Sequence, residues 1–316
     1  MNVLTGGTGR LGKHLVRSLL SSGEKVKMLI RDKNDEIPKG AIAHCGDITK
    51  PGTLEGLVER GGKDTVFHLA AAIDESLSEE AFYRINVLGT ENLLSACRGK
   101  AVERFVFVSS ISVYGNPDSL PADEATTKNP ITKYGRSKML AEEVVVRMKK
   151  EIPFTIIRPG MIYGPGFDEG YIPVLKALEK GKMPIIGDGN NRIPLIHISD
   201  AVSALLRASE SIDAERRDFN IAGPGYPTQR ELFSLASKEL GAPEPKREIS
   251  LWMANTFLPI AAAMYGMNFS RENLAQLTRD RAFDCSKIKK AIGFVPKVPI
   301  AQGIKEMVTY YREMKG

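Results

Sequence analysis

The sequence contains little cysteine and little histidine. Its 316 residues include three cysteines, and no two of them form a CxxC pair. An odd number of unclustered cysteines argues against a secreted disulfide framework and against a cysteine-rich zinc site. The four histidines also lack metal-ligand spacing. We therefore expect no metal and a cytoplasmic location. These residues are Cys45, Cys97, Cys285, His14, His44, His68 and His197.

The sequence also lacks a block of basic residues. The net charge is +6, but no run of five or more Lys or Arg residues occurs. Nucleic-acid-binding arms usually carry such blocks, so we expect no nucleic-acid partner. The positive balance is that of a solvated surface or of a protein that binds an anion such as a phosphorylated cofactor.

No apolar run is long enough to be a clear membrane span. The stretch 251–267 reaches only the lower length limit and is interrupted by Asn255, Thr256 and Pro259. We expect no span here and predict a helix packed on a second domain. A flexible wall of a substrate pocket and contact with a membrane surface are the alternatives. A strand-like run that begins at Asn2 leaves no room for a signal peptide.

What is present is an alternation of short apolar runs and helix-period segments over the first 160 residues. This alternation predicts a doubly wound parallel sheet of the Rossmann-like α/β class, with right-handed crossovers. Several of the runs are almost entirely apolar, as expected for strands covered on both faces. The predicted strands are 2–5, 25–30, 41–44, 65–69, 105–108 and 155–158, and the predicted helices are 10–22, 53–60, 79–98 and 134–150.

After Pro165-Gly166 the pattern becomes turn-rich and irregular. We predict a dinucleotide-binding domain over 1–165 and a smaller α+β substrate-binding domain over 166–192 and 221–316. A strand and a helix at about 193–210, within a return segment of about 193–220, are expected to rejoin the first domain.

A glycine-rich turn follows the first strand. Gly6, Gly9 and Gly12 form a GxxGxxG pattern between a strand and a helix, which is the context that makes such a motif specific. Gly6 permits a tight turn, Gly9 permits close approach of a pyrophosphate, and Gly12 permits close packing of the helix on the strand. Together with Arg10 and Leu11 at the helix start, these residues predict a dinucleotide-binding site.

The end of the second strand predicts which dinucleotide binds. NAD sites usually place an acid there, about 20 residues after the glycines, to bond the ribose 2′-hydroxyl. This chain has Ile30 followed by Arg31, which favours the 2′-phosphate of NADP. NAD is the alternative, with Asp32 as the acid after a slip of one residue. Arg10 is a second candidate for the phosphate, unless it is a solvated side chain.

A further candidate follows the third strand. Asp47 is placed to bond the adenine amino group, with Ile48 against the ring. The alternative is that Asp47 caps the next helix, a role that aspartate also suits.

A candidate proton-transfer centre follows the fifth strand. Tyr134 and Lys138 are four residues apart and so share one helix face. An ammonium group near a phenol lowers the phenol's pKa, which predicts Tyr134 as a general acid or base near neutral pH. Ser110, at the carboxyl end of the fifth strand, is expected to hold the substrate oxygen, with Ser112 as the alternative.

Taken together, these residues resemble the extended short-chain dehydrogenase/reductases, which include sugar-nucleotide epimerases and dehydratases. The resemblance covers nearly the whole chain. It rests on Gly6-Gly7-Thr8-Gly9-Arg10-Leu11-Gly12, Val66-Phe67-His68-Leu69-Ala70-Ala71, Asn86-Val87-Leu88-Gly89-Thr90, Val108-Ser109-Ser110-Ile111-Ser112-Val113-Tyr114-Gly115, Tyr134 with Lys138, Arg158-Pro159-Gly160-Met161-Ile162-Tyr163-Gly164-Pro165, Gly187-Asp188-Gly189, Ile196-His197-Ile198-Ser199-Asp200 and Asp284-Cys285-Ser286-Lys287.

The resemblance implies roles for matching residues. Ser110, Tyr134 and Lys138 would form the catalytic triad, and Lys138 would also bond the nicotinamide ribose. Backbone contacts to the dinucleotide would come from Leu69, Ala70, Ala71 and Pro159, and Met161 is included among the cofactor-binding residues. A homodimer through the helices near 79–98 and 134–150 is also implied.

The subfamily is narrowed by what the chain lacks. Sugar-nucleotide members usually carry an acid at the end of the second strand and an Asn where this chain has Met161. The chain is more similar to the 3β-hydroxysteroid dehydrogenase or dihydroflavonol-reductase branch. This implies an NADP-dependent oxidoreductase acting on a secondary alcohol or ketone.

Two other functions stay open. The first is a sugar-nucleotide 4-epimerase or dehydratase with tightly bound NAD. It is favoured by Arg192, which stands where epimerases often bind the nucleotide phosphate, although a solvated loop arginine is equally consistent. The second is a non-catalytic cofactor-sensing protein, which the intact triad disfavours.

Overall fold

The computed structural model describes residues 1–59, 61–168, 170–254, 256 and 278–315. Seven of the described strands form one parallel sheet in the order β10-β6-β5-β4-β1-β2-β3, which confirms the predicted fold class. The described strands are β1 (Asn2–Thr5), β2 (Val26–Ile30), β3 (Ile42–Cys45), β4 (Asp64–His68), β5 (Val102–Val108), β6 (Phe154–Pro159), β7 (Met161–Tyr163), β8 (Ile185–Ile186), β9 (Leu195–His197), β10 (Arg217–Ile221) and β11 (Glu248–Ile249).

The described helices include those predicted near 10–22, 79–98 and 134–150 and in the return segment, together with others that were not predicted. They are α1 (Arg10–Ser21), α2 (Glu79–Phe82), a π-helical stretch (Tyr83–Leu88), α3 (Gly89–Cys97), α4 (Lys133–Arg147), α5 (Tyr171–Glu179), α6 (Ile198–Glu210), α7 (Gln229–Leu240), α8 (Ser286–Ile292) and α9 (Ile300–Glu313). The prediction of a helix at 53–60 is wrong, because the structure has there only the end of a 3₁₀ turn, Pro51–Leu54. Gly56, with a φ of +76°, stops it from continuing.

The sheet is buried on both faces. All five residues of β2 and all six of β6 are buried, including the polar Lys27, Thr155 and Arg158, as expected for strands covered on both faces. One face packs against α1 and α6, and the other against α3 and α4. Helices on both faces leave the carboxyl ends of the strands as the open edge, and β1 and β4 are neighbours there with crossovers in opposite directions. Such a switch point is where doubly wound sheets bind ligands.

The segment that returns from the second half differs from the prediction in one element. Helix α6 packs in the core of the main sheet, as expected. Its preceding strand β9 does not join that sheet and instead pairs with β7, immediately after β6. The strand that extends the main sheet is β10, which pairs with β6. Strand β9 has only three residues, too few for its sequence to predict which strand it pairs with.

The second half has its own small core, formed by α5, α7 and α9. Strands β8 and β11 pair beside it as a separate two-stranded sheet. The apolar stretch 251–267 lies outside the described residues except for 251–254 and 256, so its expected packing is not described. Within the described ranges, no helix has the length and apolarity needed to cross a bilayer.

A buried ion pair joins α4 to the sheet. Arg158 of β6 is 1% exposed and donates from Nε and Nη2 to the carboxylate of Glu142, both at 2.8 Å. Its guanidinium also lies 2.7 Å from Asp218 and donates to the hydroxyl of Tyr114. Glu142 also pairs with Lys128, and Asp218 with Lys287, so two carboxylates are shared among three cations. This network fixes α4 against β6 and β10.

We predict that Glu142→Gln lowers the free energy of unfolding by about 3–5 kcal/mol, because it leaves Arg158 with too little compensating charge in the interior. The matched control is Glu151→Gln, which removes an exposed bidentate pair with Arg98. That change should cost under about 1 kcal/mol. Urea unfolding measures both, and equal losses would contradict the assignment of the stability to the buried pair.

Candidate active site

The glycine turn lies where strand β1 meets α1, and its geometry leaves no room for a side chain at Gly6 or at Gly12. Gly6 has a φ of +71°, and a Cβ there would stand 2.6 Å from the backbone nitrogen of Ala70. A Cβ at Gly12 would stand 2.1 Å from the Gly6 carbonyl oxygen. Contacts this short are excluded for real atoms. The turn is therefore folded directly onto the loop after β4 and onto the first turn of the helix.

The N-terminus of α1 carries no capping side chain. Its N-cap residue is Gly9, whereas Thr132 and Thr228 accept backbone N–H groups at the starts of α4 and α7. A helix start without a side-chain cap directs its backbone donors and its positive dipole end outward. These features fit the pyrophosphate of a dinucleotide. Gly6, Gly9, Arg10, Leu11 and Gly12 are the residues that would surround it.

The loop after β4 is fixed by Asn86, a residue whose role the sequence did not reveal. Asn86 accepts the N–H of Ala72 at 2.7 Å and donates to the Ala72 carbonyl at 3.0 Å and to Ser137 of α4 at 2.8 Å. It lies in the π-helical stretch, a conformation often found at functional sites. One amide therefore ties the loop of Leu69, Ala70 and Ala71 to the helix of Tyr134.

A neutral histidine supports the same loop. His68 is 1% exposed, and burial together with Lys138 lowers its pKa to about 3. Thr90 donates its only hydroxyl proton to the Asn86 carbonyl, so it accepts from His68 Nε2 at 2.8 Å. His68 Nδ1 then accepts from Thr5 at 2.6 Å. This directed chain assigns the Nε2–H tautomer and connects β1, β4 and the π-helical stretch.

The end of β2 opens into a cleft of about 790 Å³. Ile30 is 4% exposed and belongs to the core, so the position where an acid would bond a ribose is apolar. Arg31, which follows it, is exposed and lines the cleft with Asp32 and Lys33. Thr8 of the glycine turn lines the same cleft, so both Arg31 and Asp32 lie near that turn, and the choice between NADP and NAD stays a prediction.

The N-cap of the next helical element, the 3₁₀ turn Pro51–Leu54, is Lys50, and no side chain caps it, so the helix-capping alternative for Asp47 is wrong. Asp47 instead closes a local turn. Its Oδ1 accepts both the N–H and the hydroxyl of Thr49 at 2.8 Å. Partial burial acts to raise its pKa, but these two bonds outweigh it and the pKa falls below its usual range. Ile48 is buried under Gly89. Contact of either residue with adenine stays a prediction.

The predicted catalytic side chains are brought together. Ser110 caps the 3₁₀ turn Ile111–Tyr114, accepts the N–H of Ser112 and donates to the Ser112 hydroxyl, both at 3.1 Å. The hydroxyl of Ser110 is close enough to the phenol of Tyr134 to lower its pKa. The two hydroxyls that were expected to bind one substrate oxygen are therefore neighbours at the carboxyl end of β5.

The expected lowering of the Tyr134 pKa is wrong for the protein alone. Burial raises it to about 12, against the smaller opposing effect of Ser110. The carboxylate of Glu75, which accepts the N–H of Tyr134 at 3.3 Å, raises it further. Sequence spacing could not show that desolvation of the phenolate exceeds the influence of a lysine one turn away.

The state of Lys138 explains why an ammonium group one turn away does not make the Tyr134 phenol acidic. It is 2% exposed, and burial lowers the pKa of its ammonium group to about 7, although Glu142 acts in the opposite direction. Its Nζ lies 4.2 Å from the centroid of the Phe107 ring. Burial thus favours the neutral amine, so Lys138 is a weaker electrostatic partner of the phenol than an exposed lysine would be.

The remaining predicted residues lie on the substrate side. Pro159 ends β6, and Met161 begins β7 and is half-buried. Arg192 donates from Nε and Nη2 to the carboxylate of Asp280 at 2.7 and 2.6 Å. Its charge is thus largely neutralised by Asp280, and its binding to a phosphate stays a prediction. Within the described part of the chain, no cluster of ligands suited to a metal ion occurs.

The parallel sheet, the glycine turn and the neighbouring hydroxyls together define a nucleotide-binding α/β enzyme fold. A model of the NAD dependent epimerase/dehydratase family matches residues 3–222. The chain belongs to this family, and with it to the extended short-chain dehydrogenase/reductases, whose members are NAD(P)-dependent enzymes.

The relatives include proteins of different activities. The chain is 27% identical to 2-alkyl-3-oxoalkanoate reductase of Stenotrophomonas maltophilia, over 96% of this chain and 97% of the relative. It is 27% identical to human sterol-4-alpha-carboxylate 3-dehydrogenase, decarboxylating, over 98% of this chain and 88% of the relative. The crystal structure of UDP-glucose 4-epimerase from Thermotoga maritima with UDP-glucose has a TM-score of 0.82 at 24% identity, covers 100% of both chains and shows the common fold.

We predict that Lys138→Met stabilises the protein more at pH 6.5 than at pH 9. The folded-state pKa of about 7 lies below the reference of about 10.4. Between these values the unfolded chain holds the extra proton, so wild-type stability rises with pH and the advantage of the variant shrinks. Urea unfolding at three pH values measures this, and a difference independent of pH would contradict the buried lysine.

Proposed function

We propose that this protein is an NADP-dependent oxidoreductase that interconverts a secondary alcohol and a ketone. The observation that carries the cofactor preference is Arg31 in the cleft beside the glycine turn, together with a core isoleucine where an acid would bond a ribose 2′-hydroxyl. A guanidinium suits a phosphate monoester, which it can bind through two parallel hydrogen bonds.

The chemistry of the site agrees with this reaction. A bound nicotinamide would accept or donate the hydride, which is the cofactor's own chemistry. The protein supplies proton transfer and orientation. With a pKa of about 12, Tyr134 holds its proton at neutral pH and is ready to donate it to a carbonyl oxygen. Ser110 orients that oxygen, and Lys138 supplies a nearby charge that changes with pH.

The names of two relatives support a ketone or alcohol as substrate. One reduces, by name, a 3-oxoalkanoate, and the other is a 3-dehydrogenase of a sterol carboxylate. Both names combine oxygen chemistry at carbon 3 with a carboxylate. We therefore propose an alcohol or ketone of moderate apolarity as the substrate.

The second candidate is a sugar-nucleotide 4-epimerase or dehydratase with tightly bound NAD. The observation that favours it is the similarity over the whole chain to a UDP-glucose 4-epimerase fold. Met161 in place of an Asn and the pairing of Arg192 with Asp280 weaken it. This candidate requires cofactor that copurifies with the protein and turnover of UDP-glucose without added NADP, and it fails if neither is found.

We predict that Arg31→Ala weakens NADPH binding roughly 10–100-fold, because a charge-assisted bond to the 2′-phosphate is lost. NADH binding should not change, since NADH has no group at that position. Fluorescence titration of both cofactors measures the effect. Arg17→Ala, an exposed arginine of α1 outside the cleft, is the matched control. A wild-type protein that prefers NADH would contradict the proposed cofactor.

We predict that Tyr134→Phe lowers kcat/KM by about 10²–10⁴-fold while NADPH affinity is retained, because the ring keeps its packing and loses only the transferable proton. A steady-state assay with a panel of ketones, together with the cofactor titration, measures both quantities. Tyr310→Phe on α9 serves as the control. Unchanged turnover in the Tyr134 variant would reject its role.

We propose a homodimer that uses the helices predicted to form the interface. Three large apolar side chains on them are exposed in the single chain, namely Tyr83 (47%), Leu88 (38%) and Val146 (42%). Exposed apolar groups gathered on neighbouring helices are typical of an association surface. They support a bundle formed by the π-helical stretch and α4 of two copies.

A cytoplasmic location is also part of the proposal. Cys45, Cys97 and Cys285 are all free thiols. Unpaired cysteines agree with a reducing compartment, where disulfides are rare.

A further inference from the structure

Arg281 is a buried cation with which no carboxylate of the described residues forms an ion pair. Its side chain is 2% exposed, and within the described structure neither Nε nor Nη2 has a hydrogen-bond partner. Its Cζ lies 5.5 Å from the centroid of the Phe283 ring. Burial lowers its pKa only to about 10, so the group is charged at neutral pH. An uncompensated buried charge of this kind is unfavourable for folding and calls for a specific reason.

Other arginines of the same chain show which group binds to the Nε and Nη2 atoms of a guanidinium. Arg98, Arg158 and Arg192 each hold a carboxylate through Nε and Nη2 together, on Glu151, Glu142 and Asp280 respectively. These two nitrogens form one planar edge that matches the two oxygens of a carboxylate. In Arg281 the same edge is the one that has no partner.

The acids that flank Arg281 in sequence are used elsewhere. Asp280 is bonded to Arg192, and Asp284 accepts the N–H of Ser286 at 2.7 Å and its hydroxyl at 3.1 Å. Arg158 is an instructive contrast, because it is equally buried but lies against Glu142 and Asp218. Arg104, the other buried arginine of the described residues, also has a carboxylate nearby, since its Nη1 lies 3.8 Å from Glu215.

The position of Arg281 connects it to the proposed catalytic loop. Residue Phe283, whose ring Arg281 contacts, packs on Tyr114 with ring centroids 5.5 Å apart. The same apolar cluster includes Ile111, which follows Ser110, and Met139, which follows Lys138. The backbone of this segment is bonded to that of Ala122, in the chain that continues from the loop. Arg281 therefore lies in the layer that covers the carboxyl end of β5.

We propose that Arg281 binds the carboxylate of the substrate, so that the enzyme acts on an alcohol or ketone that also carries a carboxylate. This substrate class rests on the proposed function, whereas the anion site rests on Arg281 alone. A carboxylate is favoured over a diphosphate because one guanidinium balances a single negative charge, and the nearby Arg192 is already neutralised by Asp280.

The test compares a hydroxy acid with its neutral ester. With NADP⁺, the wild-type enzyme should oxidise 3-hydroxyoctanoate with a kcat/KM on the order of 100-fold above that of methyl 3-hydroxyoctanoate. Arg281→Leu should abolish this preference by losing activity on the acid while keeping activity on the ester. Arg281→Lys keeps the charge without the planar edge and should fall between them. Ester and acid turned over equally by wild type and Arg281→Leu would overturn the inference and leave the oxidoreductase function intact.

A binding measurement separates the inference from the proposed reaction. Octanoate at saturating concentration should raise the Tm of the wild-type protein and not that of Arg281→Leu, whatever the activity. Arg104→Lys is the matched control, since Arg104 is 4% exposed near the opposite end of β5 and should retain the shift. Octanoate that shifts both proteins equally, or neither, contradicts the proposal. A shift that depends on Arg281 with inorganic phosphate or UDP, but not with octanoate, also overturns the carboxylate assignment.

Discussion

The carboxylate of Glu142 is the interaction on which the geometry of the candidate site depends. Tyr134, Lys138 and Glu142 are spaced by four residues and share one face of α4. Glu142 holds Arg158 of β6, which fixes the rotation of the helix against the sheet. The same carboxylate lies one turn from Lys138 and acts to keep it charged. One buried acid thus orients the catalytic face and moderates the desolvation of its cation.

This arrangement changes how the Tyr134–Lys138 pair is understood. A lysine at this spacing was expected to make the phenol acidic, but burial acts on both groups and shifts them toward their neutral forms. The pKa of the phenol is raised to about 12, and that of the ammonium group is lowered to about 7. In the neutral range the phenol therefore keeps its proton. This protonation state is the one that the proposed role of Tyr134, as an acid in carbonyl reduction, requires.

The sequence predicted the parts of the molecule whose causes are local. Apolar strand runs and the glycine spacing indicated the parallel sheet, the dinucleotide turn and the neighbours Ser110 and Tyr134. Features that depend on tertiary contacts could not be predicted from the sequence. Strand β9 selected β7 as its partner, the helix predicted at 79–98 contains a π-helical stretch, and Asn86 within that stretch ties two elements that are distant in sequence. The quoted motif contained Asn86, but only the packed structure reveals its partners.

The arginines show this limit of sequence-based prediction most clearly. The sequence shows which residues are charged, but it does not show which carboxylates pair with them. Arg192 was a candidate for anion binding on its motif position, yet an aspartate 88 residues later neutralises it. Arg281 was not among the predicted site residues, although within the described structure its Nε and Nη2 have no hydrogen-bond partner. Since burial alone does not distinguish a structural cation such as Arg158 from a ligand-binding one, the deciding property is whether the planar edge of the guanidinium has a protein partner. By that criterion Arg281 is the residue proposed to bind a carboxylate, whereas binding of a phosphate by Arg192 stays a prediction.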